Sequence, residues 1–586
     1  MKISRIRIHN YRSIIDSEIE AHGYLMLVGA NNAGKSNVLN ALRAFYDDLK
    51  WSEDDFPKRG ANDDQSWVEI CFTLTAEEWE SLADKYKKDT DKPELVLRRY
   101  FRGEKVRNRQ SNIYAIVNGV EDTDLFYGAQ NVSTSKCGSV VYIPALTTPA
   151  EQMKTTGPSP LRDMLNFLLK RVVAKSPAYE NLGKAFETLN EEATRHDGFL
   201  AEISQPINEA LEQWDVRIDL SVNSISVEDI SKSLIKHVFV DLELDDVPFG
   251  LERFGHGFQR AVIYELLKLS ASFKEPARST KKEFSPDFTL LLFEEPEAFL
   301  HPSQQENMAN HLRRLGQLED QQVFITTHSP IFIGKTSDDI SSIVRLAKRD
   351  GVTTTHQIKE VEVHQLVSSG ADILAVLQDY VNNPEVSKKC KEEARRLIRS
   401  SPDQEIAEQQ DRFRYQLWLD TERASMFFAD RVLLVEGATE RALFNYLLAN
   451  EWISYGGERI FVVDVLGKFN FHRFLDLLGA FGIRHGVMFD NDDEKNHHKV
   501  INDLIRRRCN QYTLGKPAEF KGCLERHLNL PLPGRPEQKP LEILKVLEEN
   551  SLTEDQLGDL HTMFCTALGI APIEVAFPPV AASQEV

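Results

Sequence analysis

"YLMLVGANNAGKSNVLNALRAF", residues 24–45, reads as a buried strand, a Gly/Asn turn and an amphipathic helix. Its centre fits G-x-x-x-x-G-K-[ST], the loop that cradles nucleotide phosphates. Gly29 and Gly34 let the backbone curl until its N–H groups face phosphate oxygens, and the helix N-terminus that follows adds a favourable field. Lys35 is placed to reach the β/γ-phosphates and the Ser36 hydroxyl to ligate Mg²⁺. The predicted ATP-binding set is Gly29, Asn31, Asn32, Gly34, Lys35, Ser36 and Asn37.

A phosphate loop of this kind needs acids at the end of a second buried strand, and "TLLLFEEPEAFLHP" (289–302) supplies them. Glu294 is predicted to orient the Mg²⁺ shell and Glu295 to polarise the attacking water. "RFGHGFQRAV" (253–262) resembles a degenerate signature motif of ABC ATPases, with Gly257, Gln259 and Arg260 in matching positions and Gly255 and His256 as departures. "FITTHSP" (324–330) resembles the switch strand of the same enzymes, with His328 near the γ-phosphate. In such enzymes the signature helix completes the ATP site of a second copy, so paired heads are expected.

Length and charge bound the rest. At 586 residues the chain exceeds one hydrophobic core, and no apolar run is long enough to span a membrane. The N-terminal "MKISRIRIHN" lacks a signal-peptide core, and the six scattered cysteines form no C-x-x-C pair, which together predict a cytoplasmic protein without a zinc ribbon. The net charge of −20 disfavours bulk attraction to nucleic acid, although "RRYFRGEKVRNR" (98–109), "KKCKEEARRLIR" (388–399) and "IRRR" (505–508) are local basic segments or solvated faces.

The last third reads as alternating strands and helices, hence a parallel sheet. "RVLLVEGATERALF" (431–444) sets Glu436 at a strand end, Gly437 at the turn and Glu440 one helical turn on. "GVMFDNDDE" (486–494) ends another apolar strand with Asp490 and Asp492. Four carboxylates converging on one crevice repel unless divalent cations neutralise them, and hard oxygen donors favour Mg²⁺ or Mn²⁺. Two such ions suit in-line phosphoryl displacement, the chemistry of many nucleases. Asp493 and Glu494 read as N-terminal acids of the next helix.

The E…D-x-D order within βα units resembles the Toprim domain of topoisomerases, primases and some nucleases. "EGATE", together with the phosphate loop, "EEPEAFLHP" and "ITTHSP", resembles the OLD (overcoming lysogenisation defect) family of ATPase–Toprim nucleases over most of the chain. The resemblance implies a late basic residue near the metals, Lys539 or alternatively Arg535 in "GRPEQKPLEIL". It also implies a second loop at Gly467 and Lys468, and Glu525 as an added metal ligand. The implied catalytic set is thus Glu295, His328, Glu436, Asp490 and Lys539, and the implied metal set Ser36, Glu294, Glu436, Glu440, Asp490, Asp492 and Glu525.

The expected architecture is α/β: an ABC-type P-loop ATPase domain over 1–360 with a helical dimerisation insert near 160–215, a helical connector over 361–428, and a Toprim domain over 429–586. The expected activity is ATP-binding and hydrolysing, divalent-metal-dependent cleavage of DNA by a dimer or tetramer. The family setting implies conflict with phage beside a partner protein or a retron reverse transcriptase with its msDNA, away from membranes. Two rivals differ in class. An SMC-like DNA clamp lacks support in sustained coiled-coil heptads, and a topoisomerase- or primase-like enzyme lacks a recognisable tyrosine nucleophile or zinc module.

Overall fold

The computed structural model describes residues 1–87, 93–127, 136–145, 176–195, 198–211, 288–333, 340–368, 370–384, 386–399, 420–452, 458–492 and 496–571, with short pieces between 218 and 286. Two compact units are present. The first comprises 1–2, 74–87 and 134–323, and the second 3–73, 88–133 and 324–586.

The strands of the N-terminal two-thirds are, in chain order, β1 Lys2–Tyr11, β2 Ile14–Glu20, β3 Tyr24–Val28, β4 Ser66–Thr73, β5 Glu94–Arg102, β6 Ile113–Val117, β7 Val120–Leu125, β8 Ser139–Ile143, β9 Phe239–Asp241, β10 Val247–Phe249, β11 Thr289–Glu294, β12 Gln321–Thr326, β13 Ile343–Arg349 and β14 Val352–Gln357. The helices there include α1 Lys35–Phe45, α2 Pro177–Thr194, α3 Phe199–Leu211 and α4 Pro302–Gly316.

In the second unit the strands follow the order β7-β6-β5-β4-β1-β2-β14-β13-β3. β1–β2, β13–β14, β4–β5, β5–β6 and β6–β7 pair antiparallel, whereas β13 pairs β3, and β14 pairs β2, in parallel. The β13–β14 hairpin turns on Asp350 and Gly351, with φ of 51° and 88°. A two-residue Asp-Gly loop with both φ positive matches the right-handed twist of the strands it joins. The parallel register sets Arg345 opposite Val28, the residue before the phosphate loop. In the first unit β8 and β11 pair in parallel, Ser139 opposite Thr289. The strand, loop and helix read over 24–45 match these elements.

Beyond the ATPase-like strands, α5 Gly370–Asn382 and α6 Lys388–Arg399 are helical as read, and 401–419 lie outside the described residues. The C-terminal sheet then begins: β15 Arg431–Val435, α7 Ala438–Ala449, β16 Ile460–Asp464, α8 Phe471–Ala480, β17 His485–Asp490, α9 Asn496–Arg508 and β18 Ala518–Phe520, followed by α10 Leu524–His527, α11 Lys539–Glu548 and α12 Glu554–Leu568. The strand order is β16-β15-β17-β18, all parallel, as the alternation of strands and helices predicts. Leu433, Val435, Phe444 and Leu447 bury against Phe520, Ile543 and Phe564, so the last two helices complete this core. Among the described residues no helix is long and apolar enough to cross a membrane.

His485 opens β17 with no solvent exposure. Its Nδ1–H donates to the Ile483 carbonyl at 2.8 Å and its Nε2 accepts from the Thr513 hydroxyl at 2.9 Å. Burial pushes its pKa down to about 4, against the single backbone hydrogen bond that raises it. The unfolded chain therefore takes up a proton from about pH 6.5 downward while the folded chain resists until about 4. Stability from His485 is full above pH 6.5 and is lost as pH falls. His485→Gln should flatten the decline of the unfolding midpoint between pH 7 and pH 5, removing about 2 kcal/mol of its pH dependence; an unchanged slope would count against the buried neutral ring.

Candidate active sites: a phosphate loop and a carboxylate pocket

The phosphate loop has the backbone its sequence demands. Gly29 and Gly34 hold φ of 137° and 104°, and Asn32 takes 61°. A Cβ on Gly29 would meet the Leu346 carbonyl at 2.2 Å, and one on Gly34 would meet Thr353 Oγ1 at 2.5 Å. The hairpin β13–β14 thus backs the loop, and Thr353 donates to the Ala33 carbonyl at 2.9 Å. Lys35 is buried and donates to the carbonyls of Gly29 and Ala30 at 3.0 and 2.9 Å, curled against its own loop. Ser36, Asn31 and Asn32 face solvent. Asn37, expected at the nucleotide, instead donates to the Ser13 hydroxyl at 2.8 Å and ties α1 to the β1–β2 turn.

His328 follows β12 and belongs to the same unit as the loop. Burial, then the charges of Lys35 and Arg459, push its pKa down to about 4, so the ring is neutral at pH 7. Its ring also lies 6.1 Å from that of Phe428. Glu294 ends β11 in the other unit, and Glu295 follows in the left-handed region at φ 44°. That conformation is rare for a residue with a side chain and aims Glu295 off the strand line. Gly257 and Gln259, with Gly255, His256 and Arg260, lie outside the described residues.

The C-terminal acids meet in a pocket of about 570 Å³ lined by Glu436, Asp490, Asp492, His498, Arg526 and Lys539, among others. Parallel pairing accounts for the meeting: β15 and β17 are neighbours, so their C-terminal ends open on the same edge. Glu436 Oε2 accepts the Asp490 N–H at 3.3 Å. Burial pushes Glu436 up to about 7, with Lys468 opposing and Asp492 and Glu440 adding. Burial, then Glu436, Glu440 and Asp492, push Asp490 up to about 8. Asp492 sits in the left-handed region at φ 49°. Against the cost of its burial, hydrogen bonds from His498 and Lys468 hold it well below the usual carboxylate range.

Two expected ligands are engaged elsewhere. Glu440 is buried and its Oε2 accepts the Gly437 N–H at 2.9 Å, closing the N-terminus of its own helix. Glu525, at the start of α10, pairs with Lys539 at 2.8 Å, which binds the late lysine to the acid at this pocket. Arg535 is exposed, and Asp493 and Glu494 lie outside the described residues. Among the described residues no three His, Cys, Asp or Glu side chains stand close enough together to chelate an ion as they are. Asp490 Oδ1 is nevertheless buried with no hydrogen-bond partner, an oxygen that a cation would satisfy. Hard carboxylate oxygens with one such orphan fit a divalent ion.

Sequence reading missed His498, whose Nδ1 lies 2.8 Å from Asp492 Oδ2, and the inward course of Lys468. Only the i+6 spacing from Asp492 onto a helix points to His498.

The chain thus carries an ATPase-type phosphate loop followed by a Toprim-type parallel sheet with acids at its strand ends. A family profile described as "AAA ATPase domain" matches residues 1–134 and 151–333, and one described as "Overcoming lysogenization defect protein-like, TOPRIM domain" matches 427–492. The first covers more than half of the chain, which belongs to the AAA ATPase domain family and carries an OLD-like Toprim domain over 427–492. It is similar to the "Old nuclease" of Escherichia phage P2, 22% identical over 527 residues, or 87% of this chain and 80% of that protein. It is also similar to "Endonuclease GajA" of Bacillus cereus strain VD045, 23% identical over 554 residues, or 89% and 82%. A solved SMC head bound to the C-winged helix domain of ScpA aligns over 62% of this chain and 100% of its own, at 12% identity and a TM-score of 0.35.

The raised carboxylates make a prediction with a definite sign. Folded Glu436 and Asp490 hold protons up to about pH 7 and 8, whereas their ordinary values are 4.5 and 3.8. The folded chain is therefore the better proton binder between those limits, so this contribution is full at low pH and is lost as pH rises through 7–8. In chelator-containing buffer, the unfolding midpoint of Asp490→Asn should fall less than that of the wild type between pH 6 and pH 8.5. Parallel curves would refute the assignment.

Proposed function

We propose that this chain is an ATP-regulated, divalent-metal-dependent DNA endonuclease that cuts phosphodiester bonds in the pocket of Glu436, Asp490 and Asp492. The observation that carries it is the pair of buried acids at adjacent strand ends, Glu436 and Asp490, the latter with an orphaned oxygen. Lys521, Arg526 and Lys539 stand at the same pocket, cations of the sign a DNA phosphate requires. Mg²⁺ or Mn²⁺ held there by Glu436, Asp490 and Asp492, with Glu440 and Glu525 in support, would activate water and neutralise the scissile phosphate. Lys539 is then the group that meets charge developing on that phosphate, and Glu525 holds it in place at 2.8 Å.

At the other site, Lys35 and Ser36 take the phosphates and metal of ATP, Glu294 and Glu295 serve hydrolysis, and His328 senses the γ-phosphate. Gly257 and Gln259 are assigned to the ATP site of a second copy, which makes the working form a homo-oligomer built on paired heads and on the insert near 160–215. The domain limits follow the sequence reading, 1–360, 361–428 and 429–586. The similarity to proteins named Old nuclease and GajA endonuclease supports cleavage as the output. Action against phage, beside a partner protein or a retron, extends the same family reading. An SMC-like clamp would have no use for the acid pocket.

A route between the two sites lies within the second unit. His328 packs near Phe428, Phe427 meets Phe481 edge to face at 5.0 Å, and Arg345 donates to the carbonyls of Phe481 and Gly482 at 3.1 and 3.0 Å. Gly482 leads into β17, whose end carries Asp490.

Glu436→Ala and Asp490→Ala should reduce nicking of supercoiled plasmid to background while ATP binding stays within about two-fold of wild type, since neither residue is near the phosphate loop in sequence or role. Full nicking by either variant in Mg²⁺ or Mn²⁺ rules the site out, and relaxed but unbroken plasmid would favour a topoisomerase. Phe428→Ala should keep basal cleavage and ATP binding yet shrink the change that ATP makes in the cleavage rate. Undiminished ATP dependence would break the proposed route.

A further inference from the structure

Lys468 lies in the loop between β16 and α8 and is almost completely buried, with a relative exposure of 2%. Gly467 before it takes φ 102° and donates its N–H to the Glu436 carbonyl at 2.8 Å, while Leu466 takes a strained φ of 57°. The loop is thereby fastened to the end of β15 and turned inward. The Lys468 ammonium donates to the Asp490 carbonyl and to Asp492 Oδ2, the latter at 2.6 Å, and lies 3.8 Å from Glu436 Oε2. It also stands 5.8 Å from the centre of the Phe489 ring. A cation is thus already lodged among the acids to which the proposed function assigns the divalent ions.

Resting on that functional reading, we propose that Lys468 is the resident counter-ion of the acid pocket, which a divalent ion must displace from Asp492 before the site can be loaded. A carboxylate oxygen that accepts from an ammonium at 2.6 Å has no room for an ion at about 2.0–2.2 Å along the same direction. The two cations also repel at this range. The Glu436 and Asp492 carboxylates and the Asp490 carbonyl are thus gathered around an ammonium. His498, whose Nδ1 lies 2.8 Å from the same Asp492 Oδ2, keeps that carboxylate in place when the lysine leaves. The lysine lets an unloaded pocket fold with the Asp492 charge paired, and it sets a threshold of ion concentration below which the pocket stays closed to chemistry.

The direction of one measurement separates a resident counter-ion from a residue that merely orders Asp492. Mn²⁺ binding to the full-length protein is measured by calorimetry without DNA, for wild type, Glu436→Ala, Lys468→Met and Lys468→Gln. Loss of one positive charge should tighten Mn²⁺ binding about ten-fold in both lysine variants and lower the unfolding midpoint of the ion-free protein. Unchanged or weaker binding in either variant overturns the proposal. If wild type binds no Mn²⁺ that Glu436→Ala abolishes, the functional reading itself has failed, which is a different result. Wild-type protein gives a second readout that needs no variant: acylation of Lys468, followed by peptide mass spectrometry, should rise several-fold when Mn²⁺ is added. Labelling that stays flat or falls overturns the displacement.

Discussion

The C-terminal third is organised by one costly demand: Glu436 and Asp490 must stay side by side out of water. Pairing β15 with β17 in parallel puts both strand ends on one edge, and the peptide N–H of Asp490 reaches the Glu436 carboxylate. Burial and mutual repulsion then drive both acids to hold protons near neutrality. A sheet held only by backbone pairing would open at such a point. It does not because Leu433, Val435, Phe444 and Phe520 form a dry core beneath, and because α11 and α12 cover it from the C-terminal side. The last helices, which carry Lys539 at their start, are therefore both lid of the core and wall of the pocket.

The joint to the phosphate-loop sheet is made by a different compromise. Arg345 is buried and donates to the backbone carbonyls of Phe481 and Gly482 rather than to a carboxylate. Burial, then the charges of Arg484 and Arg349, push its pKa down to about 10, still charged at neutral pH. A guanidinium so placed costs more than an apolar filler of its size. What it provides is direction: Nη1 donates to two successive carbonyls and so fixes the turn before β17 in one orientation. Gly482 has φ 62°, and a Cβ there would lie 2.5 Å from the His356 ring, so β14 presses on the same turn. The strand that pairs with β3 just ahead of the phosphate loop thereby also grips the segment leading to Asp490.

Much of this was legible from residue order. Apolar strands ending in Gly or acid, helices at their proper spacing and the Asp-Gly turn at 350–351 announce themselves by period and by turn chemistry, which are local properties. So does the convergence of Glu436 and Asp490, because parallel strands must share an edge. Side-chain direction was not legible. Asn37 and Glu440 stand where motif logic sends them, but the bonds they make, to the Ser13 hydroxyl and from the Gly437 N–H, are not written in the motif. The resemblance puts Lys468 in a second loop, but its inward course goes with the φ of Gly467, which residue order does not show. β18 is three residues long, too short for periodicity to register. The basic segments are instructive in the same way: Arg98 is taken by Glu69, Arg99 by the Phe45 carbonyl and Asp47, Arg506 by Glu519 and Arg508 by Asp476. Part of the charge in runs that look like nucleic-acid surface is spent on ion pairs within the fold.

That neutralisation sharpens how a chain of net charge −20 can act on a polyanion. Long-range attraction is not at its disposal, so engagement of DNA must be short-ranged and local to Lys521, Arg526 and Lys539. These cations border the very acids that would repel a phosphate. On the proposed reading, DNA and divalent ions are therefore coupled ligands: each ion that enters converts the pocket from a repulsive to an attractive surface, and each phosphate that docks raises the affinity for ions, since linkage is reciprocal. A lysine that withholds one ion position then does more than delay loading. It keeps the pocket indifferent to DNA as well, so that ions, substrate and the turn gripped by Arg345 have to agree before Asp490 meets a phosphate.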